Sequence, residues 1–400
     1  MPVLYIAVSF SVLVGCYLLV SKKDKSYLNV LTVSFLFFIP SNYFLELMGI
    51  YIFGIKGSEF SYFFVYLTYA FYYLALTIGY VFSNPPFISL PLSGKRYNFY
   101  FLAILFFCLG IALYLPVLWE FKDQLGDPRA IYTSTRTGYG IYFYLSSTLI
   151  YLGFILFLFK GQVVLPLLIC TFVSFFKGSK THLLTPFLIL IIYQVYVMGK
   201  RVRFLKSVGY ISIFLFLIII SFLANTFSSS DTLSLFEKFY GYGDTTRNSA
   251  LVIDHFTDFK WGRLNFEEAF YQRIPRLLFP NKPKDFGAFY LAKEFYPEEF
   301  ERDVGAPAFG LVGLPFADFG YFSIFYLILL GFLTGYVMNF FKKRLYLSKS
   351  PGDFIMFSFF SGINLLSMGP YLLPDHFLLA LIISAFLTKK IPFISKMKFV

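Results

Sequence analysis

The chain has 400 residues, of which 58% are hydrophobic and 23% aromatic; only 14% carry charge, with a formal balance of +12. Mean hydropathy is +0.69, and apolar runs of about twenty residues recur from end to end, which excludes a soluble globular domain and marks a polytopic membrane protein. Cys16, Cys108 and Cys170 all lie inside apolar runs, so they offer neither a metal-ligand spacing nor a disulfide framework.

Between charged breaks, the apolar runs fall at roughly 3–20, 28–53, 62–82, 99–119, 140–159, 163–176, 183–198, 207–225, 317–338, 354–370 and 376–388, about eleven transmembrane helices in an all-α protein. The first begins directly after Pro2, without a basic leader or a small-residue cleavage site before SKKDK, and we expect a retained helix rather than a signal peptide. One set of alternate breaks collects Lys22, Lys23 and Lys25; Lys95 and Arg96; Lys160; Lys200, Arg201, Arg203 and Lys206; Lys342, Lys343, Arg344 and Lys349; and Lys389, Lys390, Lys396 and Lys398, against only Asp24 and Asp353. The positive-inside rule makes that set cytoplasmic, with the N-terminus outside and the C-terminus inside. The net charge is then a signal of topology and not of nucleic-acid binding. Three regions follow: 1–225 with helices 1–8 and short loops, 226–316 as one long extracytoplasmic loop, and 317–400 with helices 9–11 and a basic cytoplasmic tail.

The cytoplasmic breaks are too short for a catalytic domain and hold no Gly-rich phosphate cradle, which argues against ATP or a sugar nucleotide as substrate. The outer face has a medium loop at about 120–139 that carries Arg136 in RTGYG, where Gly138 and Gly140 let a substrate approach the backbone. Next comes a hairpin, KGSKTH between apolar arms 163–176 and 183–198, each shorter than the about 20 residues that cross about 30 Å of hydrocarbon. We expect this turn to lie below the membrane surface, with Lys177, Lys180 and His182 at the depth of lipid phosphates. Ordinary snorkelling at a helix end is the alternative for Lys177.

In the long loop, Asn265 and Glu268 have capping-box spacing for a helix FEEAFYQRI ended by Pro275, and Asp285 is placed to cap FGAFYLAKEF, ended by Pro297. Phe266, Phe270 and Arg273 share a face of the first helix, an apolar stripe that can lie on the membrane surface. Arg273, Arg276, Lys282 and Lys284 follow between Pro275, Pro280 and Pro283, which stiffen the segment. A solvated cap without chemistry is the alternative reading.

The outer face thus gathers Arg129, Arg136, Lys177, Lys180, Arg247, Arg273, Arg276, Lys282 and Lys284 with His182, His255 and His376. Guanidinium forks bind phosphate oxygens in pairs, and a pyrophosphate carried on a lipid sits at this interface. The histidines are scattered and lack carboxylates at ligand spacing, and HExxH, GxSxG and paired-cysteine motifs are missing, so we assign no metal and no cofactor. Cations that stabilise a leaving phosphate are the chemistry expected here. For a general base we favour His255, two turns after Arg247 and roughly on its face; Asp254 and Asp258 are the fallback. His182 suits donation to the leaving group, and His376 suits orienting the last span.

The GSK-bearing hairpin, the outer loop with RIPRLLFPNKP and the stretch GAPAFGLVGLPFADFG running into the next span together resemble the Wzy-type oligosaccharide repeat-unit polymerases, the O-antigen or capsular polysaccharide polymerases. The likeness covers the whole span architecture, and at residue level 134–140, 177–182 and 245–335. Lys180 stands where the short motif often has arginine, and Leu314-Pro315 where a more polar pair is expected before Asp318-Phe319-Gly320. The resemblance implies a GT-C-like bundle acting on the outer face of a bacterial cytoplasmic membrane. It would move the growing glycan from a polyprenyl-pyrophosphate carrier to the free sugar end of a new lipid-linked repeat unit, alongside a flippase and a chain-length regulator. In that scheme His255, Arg273, Arg276 and Arg247 are catalytic, and Arg136, Lys177, Lys180, His182, Lys282 and Tyr271 bind substrate, with Trp261 and Tyr290 as further sugar-stacking rings. A lipid-linked glycan transporter remains open, although Glu46 is the one clear mid-span acid and the cations crowd one face. So does an O-antigen ligase.

Overall fold

Inside a bilayer, backbone N–H and C=O groups find no water, so an apolar segment must satisfy them internally and winds into a helix. The computed structural model describes residues 2–55, 57–85, 99–135, 139–178, 180–207, 209–212, 216, 244–271, 279–301 and 307–363, and among them there is no strand. The helices are α1 (Pro2–Asp24), α2 (Val30–Ile39), α3 (Leu45–Phe53), α4 (Glu59–Val81), α5 (Phe99–Glu120), α6 (Pro128–Ser134), α7 (Gly140–Phe159), α8 (Val164–Phe176) and α9 (Lys180–Ile192). After them come α10 (Asp244–His255), α11 (Arg263–Tyr271), α12 (Ala288–Phe295), α13 (Pro297–Glu301), α14 (Gly310–Phe319), α15 (Ser323–Ser348) and α16 (Pro351–Phe360). Among the described residues, 6 helical stretches are long and apolar enough to cross a membrane: Pro2–Asp24, Val30–Ile52, Glu59–Val81, Phe99–Glu120, Tyr142–Phe159 and Gly310–Ser348. The short hairpin arms expected from the sequence are α8 and α9, of 13 residues each. The expected run at 354–370 is described to residue 363, where α16 covers its first part, and those at 207–225 and 376–388 lie largely or wholly outside the described residues.

The chain forms two compact units. The first comprises Met1–Val20, Phe35–Ser83 and Thr232–Tyr336. In it α4 and α15 meet backbone to backbone: a Cβ on Gly335 would lie 1.9 Å from the Leu76 carbonyl, and one on Gly79 2.2 Å from that of Phe332. Only glycine permits that approach, and Gly331 and Gly335 supply the small-xxx-small spacing that membrane helices use for it.

The second unit comprises Ser21–Ser34, Asn84–Asp231 and Val337–Val400. Here α5 packs on α7 through Gly110 and Gly153, and Ser146 Oγ donates to the Gly110 carbonyl at 2.6 Å. Asp24 and Asp353, the two acids among the basic breaks, are both buried against cations. Asp24 pairs with Lys342, and Asp353 with Arg344 at 2.9 Å. Burial of a carboxylate is tolerable when a cation comes with it.

Candidate active site

Pro40 has no N–H to return to the preceding turn, and the helix relaxes there into a π turn, Pro40–Phe44, with the Leu45 N–H reaching the Pro40 carbonyl. Asn42 and Glu46, four residues apart, then project from one face of an otherwise apolar span. Both are buried. Asn42 Oδ1 accepts from Thr245 Oγ1 at 2.7 Å, Thr246 Oγ1 at 3.1 Å and Tyr69 OH at 3.2 Å. Tyr62 OH donates to Glu46 Oε1 at 2.7 Å.

Tyr62 and Tyr69 belong to α4, and Thr245 and Thr246 to α10, which docks along its whole length in the first unit. Near its start Arg247 is buried with its Nε 3.3 Å from Glu46 Oε2. Asn248 Nδ2 donates to the Ala308 carbonyl, and Ser249 Oγ to that of Phe309. Near its end the Asp254 carboxylate accepts from the Ser58 N–H at 2.7 Å, Ser58 Oγ at 2.6 Å and Ser61 Oγ at 3.2 Å, where α4 begins. His255, the last residue of α10, is exposed. The shared face expected for Arg247 and His255 is therefore split. Eight residues at about 100° each leave them roughly 80° apart, and one is buried while the other faces out. Asp254 serves α4, and Asp258 pairs with Lys260. Asp244, at the start of α10, has its carboxyl pushed up by burial, against the opposing pull of Arg247.

Helix α11 starts at Arg263, earlier than the capping box implied, and its cap comes from elsewhere. The buried Asp318 carboxylate accepts from the Leu264 N–H at 2.9 Å and the Asn265 N–H at 2.7 Å, so the anion sits on the helix N-terminus. Glu268 serves α12 instead, accepting from the Ala288 N–H at 2.8 Å. Asp285 does not cap α12 but pairs with Lys293 at 2.8 Å, which holds its carboxyl below the usual range. At the end of α11, Tyr271 stacks on Phe279 with centroids 6.2 Å apart and leans on Phe286. Lys282 lies over the Phe286 ring at 4.7 Å, and Lys260 over Tyr290 at 5.1 Å.

In the second unit Lys177 turns into the protein. Its ammonium donates to the Phe143 carbonyl at 3.0 Å, Ser146 Oγ at 3.1 Å and Ser147 Oγ at 2.8 Å, all on α7, and it is only 1% exposed. It also lies 4.4 Å from the Tyr114 ring centroid and 4.8 Å from that of Phe143. His182 is buried and stacked on Phe143. Lys180 opens α9. Arg136, Arg273, Arg276 and His376 lie outside the described residues. Among those described, no group of three His, Cys, Asp or Glu side chains is placed to hold a metal ion.

The first unit thus holds Arg247, His255, Tyr271 and Lys282, of which Arg247 meets Glu46, and it also holds Asn42, Tyr62 and the cap Asp318, which were not selected from the sequence. The readable signal was the polar i, i+4 pair Asn42 and Glu46 inside an apolar span. Across 390 residues, the chain is 34% identical to the O-antigen polymerase of Salmonella typhimurium, covering 95% of this chain and 94% of the relative. The O-antigen polymerase of Salmonella typhi gives the same values. The chain belongs to the O-antigen polymerase family. No family model and no solved structure matches it. In this member of the family, the buried polar contacts described for the first unit lie on the π turn Pro40–Phe44 and on α3, α4, α10, α11 and α14.

Proposed function

We propose that this protein polymerises polyprenyl-pyrophosphate-linked oligosaccharide repeat units on the outer face of a bacterial inner membrane. The observation that carries this reading is the 34% identity over 95% of the chain to O-antigen polymerases. The proposal includes about eleven transmembrane helices in a GT-C-like bundle, the loop 226–316 on the outer side, the N-terminus outside and the C-terminus in the cytoplasm. A flippase and a chain-length regulator would work beside it.

In the proposed step the acceptor sugar hydroxyl attacks the anomeric carbon of the growing glycan. The bond from that carbon to the carrier pyrophosphate breaks, and the hydroxyl proton passes to His255. Arg273 and Arg276 take up the charge that develops on the departing pyrophosphate, with Lys282 beside them in the chain, and Arg136 and Lys180 are further substrate-binding residues. The step uses no metal ion. Arg247, paired with Glu46, holds α10 in place so that His255 is presented from a fixed helix end, and Lys177 with His182 steadies the α8–α9 hairpin. Tyr271 offers a ring face to a sugar. Pairing of Glu46 with Arg247 suits a brace better than a translocation path through the membrane.

Mass spectrometry of surface glycans after gene deletion tests the reading. Single capped repeats are expected, restored to long chains by the wild-type gene and not by Arg273→Ala or Arg276→Ala. Long chains retained on the carrier would instead make the protein a ligase, and an internal pool of unflipped units would make it a transporter.

A further inference from the structure

Helix α11 is built inside out. On a helix bathed in water the charged residues face outward and the rings inward. Here the Glu267 side chain is 14% exposed and Glu268 is bonded to the α12 backbone, whereas Phe266 and Phe270 are 69% and 49% exposed, and the charge that faces outward with them is Arg263, 60% exposed and paired with Glu267. Those two rings lie parallel, 6.0 Å apart, with Leu264 buried beneath the helix. Just before them Trp261 is 75% exposed and holds φ at +53°, a left-handed conformation that costs a bulky residue energy.

What holds that tryptophan is the end of α14. The Trp261 N–H donates to the Asp318 carbonyl at 2.8 Å and the Lys260 N–H to that of Ala317 at 3.0 Å, while the Asp318 carboxylate caps α11. Gly262 lies against the Phe319 ring, which packs on Tyr326. Beyond it Tyr321, Phe322 and Phe325 point outward from the apolar helix Gly310–Ser348, as lipid-facing rings do. The start of α11 is therefore fastened to the end of α14, beside the exposed rings at the start of a span.

We propose that Trp261, Phe266 and Phe270 form a membrane-docking face that rests α11 in the headgroup and acyl boundary of the bilayer. Aromatic side chains favour that layer, and an interfacial helix buries its apolar face about 5–10 Å into it. The bilayer is the occupant because the start of α11 is fastened through Trp261 and Gly262 to the end of α14, where a span begins, and because the outward member of the ion pair beside the rings is the cation Arg263, which suits lipid phosphates, whereas Glu267 turns inward. Docking fixes the depth of Tyr271, two residues before Arg273 in the chain. It does not depend on the chemistry assigned to the site.

The chain has 2 tryptophans, so Trp119→Phe leaves Trp261 as the sole reporter. In nanodiscs of that variant we expect blue-shifted emission, strong quenching by lipids brominated just below the headgroup, weaker quenching by lipids brominated near the chain ends, and protection from iodide. Phe266→Ser with Phe270→Ser should shift the emission to the red and lower the quenching. Should Trp119→Phe not fold, subtracting the Trp261→Phe spectrum from the wild type gives the same readout. Emission that iodide quenches and brominated lipid does not would overturn docking. So would a shift that appears only on adding lipid-linked glycan, which makes the face a sugar site, or only at high protein concentration, which makes it a contact between copies.

Discussion

Arg247 in the first unit and Lys177 in the second are both buried cations, and each is neutralised by a different device. Arg247 meets a carboxylate, Glu46, that is itself wholly buried and bonded to Tyr62. Lys177 meets a carbonyl, two hydroxyls and two aromatic faces. The difference lies in what each partner loses alone. An ion pair binds two desolvated charges that need one another, so each is a liability once the other is gone. A cage of dipoles binds one charge, and its members remain satisfied without it: Ser146 still donates to Gly110, and Ser147 to Phe143. Pairs fasten one element to another more strongly, and cages tolerate substitution better.

The largest effect should come from Glu46→Ala, which takes from the buried Arg247 the carboxylate that lies 3.3 Å from its Nε and leaves Asp244 as the nearby acid. We expect a loss of about 3–5 kcal/mol, seen as a fall in folded protein by fluorescence-detected size exclusion. Glu46→Leu combined with Arg247→Met should recover much of that loss, because an apolar pair of similar volume replaces both desolvated charges. Recovery of fold together with long glycan chains would make the pair a fastener alone. Recovery of fold without elongation would give Arg247 a part in the reaction.

An intermediate effect is expected for Lys177→Met, which keeps the length of the side chain and discards its charge. The charge-assisted hydrogen bonds are lost and the desolvation cost with them, for a net loss of about 1–3 kcal/mol. Thermal melting in detergent checks the ranking. A loss as large as that of Glu46→Ala would erase the distinction between cage and pair.

The smallest effect concerns Asp244, in the first turn of the helix that carries Arg247. Burial raises its carboxyl, more than the nearby guanidinium and the Asn248 hydrogen bond lower it. A raised carboxyl binds its proton more tightly in the folded state than in the unfolded one. Its contribution to stability is thus full below the ordinary aspartate range and is lost as pH rises through the raised value. Asp244→Asn should remove that slope, so the melting temperature of the wild type should fall relative to the variant between acid and neutral pH. Parallel profiles would mean that Asp244 titrates as it does in the unfolded chain.

Much of the helical plan was legible because a bilayer leaves an apolar run one local solution. The ends of α4, α5, α7 and the short arm α8 lie within a few residues of their expected positions, and the second arm reaches its expected end through a π turn, Tyr193–Val197, that follows α9. Caps were less legible. Asn265 and Glu268 have the spacing of a capping box, but the N–H groups of α11 found a stronger acceptor in Asp318, 53 residues from Asn265. Local spacing cannot register a competitor that arrives through tertiary packing. The same holds for Glu46, whose partner is two hundred residues further along the chain.

The amino-acid sequence by itself determined the membrane class, the helical segments and the concentration of cations outside the spans, since these follow from hydropathy, length and charge summed over short windows. Only the tertiary structure decided which charges work in pairs. It sent Arg247 inward to Glu46 and left His255 exposed, closed Lys177 into a cage on α7, and gave Asp254 to the start of α4. The physical reason is the cost of desolvation. A charge in an apolar chain goes wherever packing offers an opposite charge or a set of dipoles, and that offer comes from residues distant in sequence.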